Sequence, residues 1–457
     1  MLSRLILGVL ISFFSVTMAE PSAATQVLSF ETFFQRVLAY YPGLKAAHGD
    51  VTMALAGQMQ ARAGFWPSLN ISAGYQLSND PVNVFGMLLR QERFTSGDFD
   101  LKRLNTPEVH QDITAGIHLD WPLFDAMQTI YRVRGSHEDV KASRAQEDFV
   151  RMEALLLAQD AYLNALTLER LSGIMDVVKS SSDDDLQKAS DLKDKGMILG
   201  ADYYLARVLS GDFERIKNEM AHQKKAMMIL LNIMMGESLD TVWILQDMIK
   251  DKTLEPKDRP ELLAAAFTYR LDLLSLKAQL EASVVAFSRE RSSALPQVSL
   301  FADAANDRDR IFRTGGDNFT AGLKVQMSLF DPTRDGRVQM ARAKAEKLKQ
   351  QVEVLKDSIR RDIVQETARY DILRDNMAAL KGMADDAKES MSLMVPLYSE
   401  GRKSIADLLE VRRTYWQSAQ AYHMAFLGLW ASSARLEFLS GRLNEDALNK
   451  LMEGAGL

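Results

Sequence analysis

The sequence contains no cysteine. Disulfides, cysteine-ligated zinc, a thiol nucleophile and a lipid on an N-terminal cysteine are all excluded. It also lacks an excess of positive charge: 55 lysines and arginines face 61 acids, for a net charge of −6. Nucleic acid therefore has no electrostatic footprint to bind. The patterns G-x-x-x-x-G-K-[ST], H-E-x-x-H and G-x-S-x-G do not occur, so neither an enzyme nor a nucleotide site is indicated. Six histidines (48, 110, 118, 137, 222 and 423) show no metal-ligand spacing. The 23 methionines lie along helix seams, where packing explains them better than metal transport. No metal or cofactor is expected. Long apolar runs are missing too. After the N-terminus no stretch approaches the ~20 residues of a membrane-spanning helix.

What is present begins with a leader. Arg4 precedes the apolar run Leu5 to Val16, and small residues follow at Thr17-Met18-Ala19 and Ser22-Ala23-Ala24. This is the pattern of a secretory signal peptide, expected over residues 1–24, and it implies export.

Two periodicities then alternate. Helical spacing of Phe30, Phe33, Phe34, Val37 and Leu38 opens a helix that Tyr41-Pro42-Gly43 interrupts and Trp66-Pro67 ends. From Ser68 to Ser78 the period becomes two, with Leu69, Ile71, Ala73, Tyr75 and Leu77 on one face. Asp112 to Leu123 repeats the pattern, placing Asp112, His118 and Asp120 on the polar face. Residues 79–111 between them read as a long loop with an apolar island, Val82 to Leu89. A very long helix follows Phe124-Asp125, turns near Gly196 and returns to about Met235.

The same order then recurs. A helix over Leu271 to Ala294 ends at Pro296. Strands follow over 297–304 and 318–329, with Asp303 and Lys324 on their polar faces. Phe330-Asp331 opens a second long helix, which turns at Gly401. The two copies stay in register: Gly196 and Gly401, Asp202 and Asp407, and Gly236 and Gly441 are each 205 residues apart. Register held over so long a span marks a duplication. The expected organisation is a first repeat over 25–236, a connector over 237–259, a second repeat over 260–441 and a tail over 442–457.

The second long helix would measure ~100 Å at 1.5 Å per residue. No globular core buries such a rod. Its apolar residues, such as Leu348, Val352, Leu355 and Ile359, take the three-four spacing of a coiled coil instead. The strands have the ~9–11 residues of a membrane-spanning strand, with one apolar face and one polar face. Four strands cannot close a barrel, and open edges are not tolerated in lipid. Closure needs other chains, and twelve strands from three copies would keep an aqueous lumen where eight would fill with side chains. The expected fold is mainly α with a transmembrane β-barrel contribution: two tandem repeats of helix–strand–strand–long helix–turn–helix, with four strands per chain. The opposed expectation is a soluble periplasmic coiled-coil adaptor, which explains the helices but not the strands.

The chain resembles the TolC-type outer membrane factors, the exit ducts of tripartite efflux pumps and type I secretion systems. The residues that carry the resemblance occur twice. They are Phe65-Trp66-Pro67-Ser68-Leu69 with Ala294-Leu295-Pro296-Gln297-Val298, and Trp121-Pro122-Leu123-Phe124-Asp125 with Met327-Ser328-Leu329-Phe330-Asp331-Pro332. The turns at Gly196 and Gly401 complete the set. The resemblance implies a homotrimer: a twelve-stranded barrel in outer-membrane lipid continuing into a periplasmic α-helical barrel. It also implies a periplasmic adaptor and an inner-membrane pump as partners, and no enzymatic activity. The periplasmic turns of such proteins close the duct like an iris. On that pattern Asp407 and Glu410 are the gate acids, Glu410 standing where the family has Asp. Tyr398 and Lys403, with Arg402 beside it, are the latch candidates. Ser404-Ile405-Ala406-Asp407 also reads as a helix-capping box, which explains Asp407 without a gate. Glu410 has Leu205 as its counterpart in the first copy and Pro396 has Asp191, so repeat structure explains neither.

Overall fold

The computed structural model describes residues 26–247, 255 and 257–452. The expected signal peptide lies outside these residues, as do part of the connector and the end of the tail.

The chain opens with β1 (Gln26–Leu28), α1 (Phe30–Tyr40) and α2 (Pro42–Ala63). The Ser29 hydroxyl accepts from the Thr32 N–H and caps α1. Pro42 takes the first position of α2, where its missing N–H costs nothing, and so resets the helix. Then come β2 (Ser68–Ser78), α3 (Pro81–Arg90), α4 (Leu101–Asn105) and β3 (His110–Phe124). The long α5 (Gln128–Asp194) returns as α6 (Gly200–Met235). The short β4 (Trp243–Leu245) lies in the connector. The second half holds α7 (Arg259–Tyr269), α8 (Leu271–Ser292), β5 (Gln297–Arg308), β6 (Gly316–Gln326), α9 (Arg334–Ser399) and α10 (Ile405–Leu439). The tail carries α11 (Glu445–Met452).

The duplication is visible in backbone geometry. Gly196, Gly236, Gly401 and Gly441 sit at φ of +71°, +72°, +69° and +74°. Each ends a helix with the same pair of bonds. At Gly401, its own N–H reaches the Tyr398 carbonyl at 3.0 Å and the Arg402 N–H reaches that of Leu397 at 2.9 Å. At Gly196 the equivalent bonds run to Lys193 and Leu192, at 2.9 and 2.8 Å. This left-handed cap favours glycine because a Cβ there meets its own backbone.

The four long strands form one antiparallel sheet in the order β2-β3-β5-β6, so the repeats meet between β3 and β5. Ser72 faces Gly116, His118 faces Asp303, and Asp303 faces Thr320. The register therefore places every polar-face residue of the four strands on one side. The other side carries Ile71 and Phe319, 82% and 87% exposed, with Leu69, Ile117, Leu323 and Val325. β2 and β6 are open edges.

Three differences from expectation have local causes. β5 runs on to Arg308, leaving a hairpin of only residues 309–315. β6 ends at Gln326, because no β5 partner precedes Gln297 to pair with the residues that follow. The stretch 79–109, expected as a loop, is folded. Asp80 caps α3 by accepting from the Asn83 N–H, and Pro81 takes its first position.

Below the sheet the helices pack side by side. α5 packs against α2 on one side and α8 on the other, and α8 packs against α9. Farther down, α10 joins α9 to α5, and α6 lies against α5. Midway, Phe33, Tyr162, Leu231, Trp243 and Trp430 centre the largest core cluster. There the Tyr162 hydroxyl donates to the carbonyls of Leu28 and Gln246, tying β1 and β4 to the helices. A second cluster, with Met175, Ala206, Phe213, Leu408 and Trp416, packs the end that holds the Gly196 and Gly401 turns. No helix among the described residues is long and apolar enough to cross a membrane.

Candidate functional site: the helical tip and the polar sheet face

The tip is built where α5 turns into α6 and α9 into α10. Asp407 sits in the capping box expected of it. Its carboxylate accepts from the Ser404 N–H, and its own N–H donates to the Ser404 hydroxyl, both at 3.1 Å. These bonds hold its pKa below the ordinary carboxylate value, with the Lys403 charge adding to the effect. Glu410 lies one turn on, exposed, and pairs with Arg413 at 2.8 Å. Arg402 pairs with Glu400 at 3.4 Å, and Lys403 is exposed. Pro396 lies inside α9, which runs through it to Ser399.

Tyr398 does not reach the basic residues beside it in sequence. It packs into the tip cluster with its hydroxyl buried and without a hydrogen-bond partner. Burial raises its pKa, and the nearby charge of Asp185 raises it further. Asp185 is the residue the sequence reading missed. It is held by Arg412 at 2.5 Å, and both side chains are only 7% exposed. The signal was present. On α5 the buried residues Leu171, Met175, Val178, Ser182, Asp185 and Ala189 alternate spacings of four and three. On α10 Ile405, Leu408, Arg412, Trp416 and Ala419 are also buried at spacings of three or four. A charge at each of two facing seam positions is the mark of a buried pair that fixes register.

At the other end, the sheet brings the remaining candidates onto one face. His118 Nδ1 lies 2.6 Å from Asp303 Oδ1, joining the two repeats across the β3–β5 seam. Asp120 faces Phe301, and Lys324 faces Ser299. Asp307 joins this face, accepting from Thr114 at 2.8 Å and from Asn318 at 3.0 Å. Asp112 shares the face but is covered, only 2% exposed, beneath Gln91. Acids outnumber lysine along this wall. No group of three or more potential metal ligands converges among the described residues.

A family model for outer membrane efflux proteins matches residues 33–196 and 262–442. The chain belongs to the outer membrane efflux protein family. The first matched stretch carries α5 with the strands β2 and β3 that precede it, and the second carries α9 and α10 with β5 and β6. Solved structures show the same fold at low identity. A membrane protein from Pseudomonas aeruginosa is 17% identical with a TM-score of 0.77, the match covering 91% of each chain. The CmeC outer membrane channel of Campylobacter jejuni is 15% identical with a TM-score of 0.77, covering 94% of this chain and 90% of that one. VceC of Vibrio cholerae is 14% identical with a TM-score of 0.74, covering 90% and 96%. No curated protein matches the chain. Family membership makes this an efflux duct of the outer membrane, its long helices extending into the periplasm, and the family is one of channels. The opposed expectation of a soluble adaptor is set aside.

Proposed function

We propose that three copies close into a twelve-stranded barrel over a helical barrel, forming a passive duct gated at its periplasmic tip. The observation that carries this reading is the open-edged sheet, apolar on one side and polar on the other. One chain leaves the β2 and β6 ladders unpaired, which lipid does not tolerate. Joining β6 of one copy to β2 of the next removes every edge, sends Ile71 and Phe319 to lipid, and turns the acid-rich face to water. The helices support the same closure. Met53 and Met59 on α2 are 66% and 73% exposed, and Met340 and Val354 on α9 are 67% and 66% exposed. These outer helices of the layer are the ones neighbouring copies would cover.

At the tip, threefold symmetry would bring three Asp407 and three Glu410 toward the axis. The capping box keeps Asp407 ionised, while Arg413 offsets part of the Glu410 charge. Six carboxylates around a narrow opening attract cations and repel one another, so the ring opens when the helices separate. Asp185, Arg412 and Tyr398 act as the latch that holds α10 against α5. Lys403 and Arg402, exposed beside the turn, are placed to reach a neighbouring copy. The sequence carries no G-x-x-x-x-G-K-[ST] motif, and on this reading a periplasmic adaptor and an inner-membrane pump supply the opening work.

Two measurements test this. Mass in detergent should be three times that of the mature chain, and a water-extractable monomer refutes the assembly. Asp407→Ala with Glu410→Ala should raise conductance or weaken divalent-cation block in planar bilayers. Unchanged conductance would remove the gate assignment and leave the fold intact.

A further inference from the structure

We infer that the segment between β2 and β3 forms a second constriction of the duct, at the end opposite the helical tip. This inference rests on the proposed duct, in which the polar sheet face lines the lumen.

Residues 79–109 fold as a unit of their own. α3 buries Val84 and Met87. Phe94 stacks edge-to-face on both Phe85 and Phe99, with ring centroids 4.9 and 5.0 Å apart. The unit is then seated on the sheet by specific bonds. The Gln91 amide, 3% exposed, donates to the Asp112 carboxylate at 2.8 Å and to the Gln111 carbonyl at 2.9 Å. Asn318 donates to the Arg90 carbonyl at 3.2 Å. A Cβ added to Gly316 would lie 2.1 Å from that same carbonyl, so only glycine lets the strap press this close. Arg93 pairs with Asp309 at 2.7 Å, and Asp309 also holds Arg313 at 3.1 Å.

The register decides which side the strap occupies. Asp112, Gly316 and Asn318 all belong to the polar face, at the ends of β3 and β6 farthest from the helices. The end of α3 therefore crosses the inner side of its own sheet at the outward mouth, and does not spread over the rim. The second repeat has only the 309–315 hairpin at this level, so each chain supplies one strap. A trimer places three around the axis. The ties include one buried amide and one ion pair whose arginine is 38% exposed, and such a strap can be released without unfolding the sheet.

The cysteine-free chain allows a direct test. Ser72→Cys puts a thiol midway along β2 on the polar face, opposite Gly116. Intact cells producing the full-length protein are treated from outside with a small charged thiol reagent, or with a maleimide carrying a bulky polymer. With the strap seated, the small reagent should label position 72 and the bulky one should not. Gln91→Ala with Arg93→Ala should abolish the protection. Arg93→Asp alone should weaken it, and adding Asp309→Arg with Arg313→Ala should restore it, which a merely misfolded mouth would not do. Equal labelling by the bulky reagent with the strap seated or released overturns the constriction. If position 72 resists even the small reagent in cells yet reacts after detergent extraction, the polar face is not a lumen. The duct itself then fails, and the constriction falls with it.

Discussion

Arg412 carries more of the tip's energetics than either acid expected to gate it. Asp407 and Glu410 face water, where an ion pair or a cap contributes little beyond local helix stability. Arg412 and Asp185 are shut inside the seam between α10 and α5. A buried pair need not stabilise the fold relative to apolar residues of the same size, but removing one partner leaves the other charge stranded. Arg412→Ala should cost roughly 3–5 kcal/mol, the usual result of breaking a buried pair. Hydrogen exchange should then quicken in the first turns of α10, and bilayer conductance should rise. Asp185→Leu with Arg412→Met should recover stability; if it does not, the pair is not acting through desolvation. A second residue answers to pH. His423, half-buried on α10, has a pKa held below 6.5 by burial and by the Arg170 charge, with Asp247 opposing. The folded state thus binds this proton more weakly than the unfolded chain. Its full contribution is present above pH 6.5 and is lost as pH falls below that, through the lowered folded value. Tm should fall over that window, and His423→Gln should flatten the slope; parallel slopes would show that other groups control it. The capping role of Asp407 was legible in the sequence because Ser404-Ile405-Ala406-Asp407 follows a turn, whereas Glu410 was singled out by the family resemblance. Asp185 and Arg412 were not legible, because a charge in a heptad looks like a surface residue until its seam partners are counted.

The elements show which local rules the chain obeys. All four long strands and all four long helices were readable from periodicity, since each is long enough for a period to repeat several times. The strap was read as a loop because α3 and α4 are only 10 and 5 residues long. Asp80-Pro81 and the Val84–Met87 spacing were the available signals, but too brief to outweigh the charged residues that follow. The parallel pairing of β1 with β4 was invisible for another reason: it joins two three-residue strands across most of the first repeat. The duplicated glycines allow a test of what a helix end requires. At Gly401 a Cβ would meet open space, so Gly401→Ala isolates the backbone cost of a left-handed residue, about 1–2 kcal/mol. At Gly236 a Cβ would come within 2.3 Å of the Tyr40 ring, so Gly236→Ala adds a clash to the same backbone cost. Urea unfolding should place Gly236→Ala clearly below Gly401→Ala. Equal losses would mean that Tyr40 moves aside freely.

For the whole molecule, the decisive property is that a single chain is unfinished. Its sheet has two open edges, and the apolar side of that sheet is bare. A soluble sheet would bury that side against a second layer, yet the helices here continue along the strands instead of covering them. The sequence exposed this incompleteness through alternation alone, but the strand order, and hence which edges stay open, needed the fold. The membrane assignment makes neighbouring residues of one strand behave oppositely. Ile71 and Asn70 are both exposed and sit in the same part of β2, pairing with Ile117 and His118. In the assembled barrel Ile71 would meet lipid and Asn70 water. A lysine on the lipid face near the bilayer midplane costs about 2–4 kcal/mol, while one on the lumen face is hydrated. Ile71→Lys should therefore sharply reduce the amount of trimer recovered from outer-membrane extracts. Asn70→Lys should leave the yield near that of the parent and alter ion selectivity instead. In a soluble or unassembled sheet both sites would be wet and both lysines tolerated, so equal yields would refute the lipid-facing assignment and with it the closure of three chains.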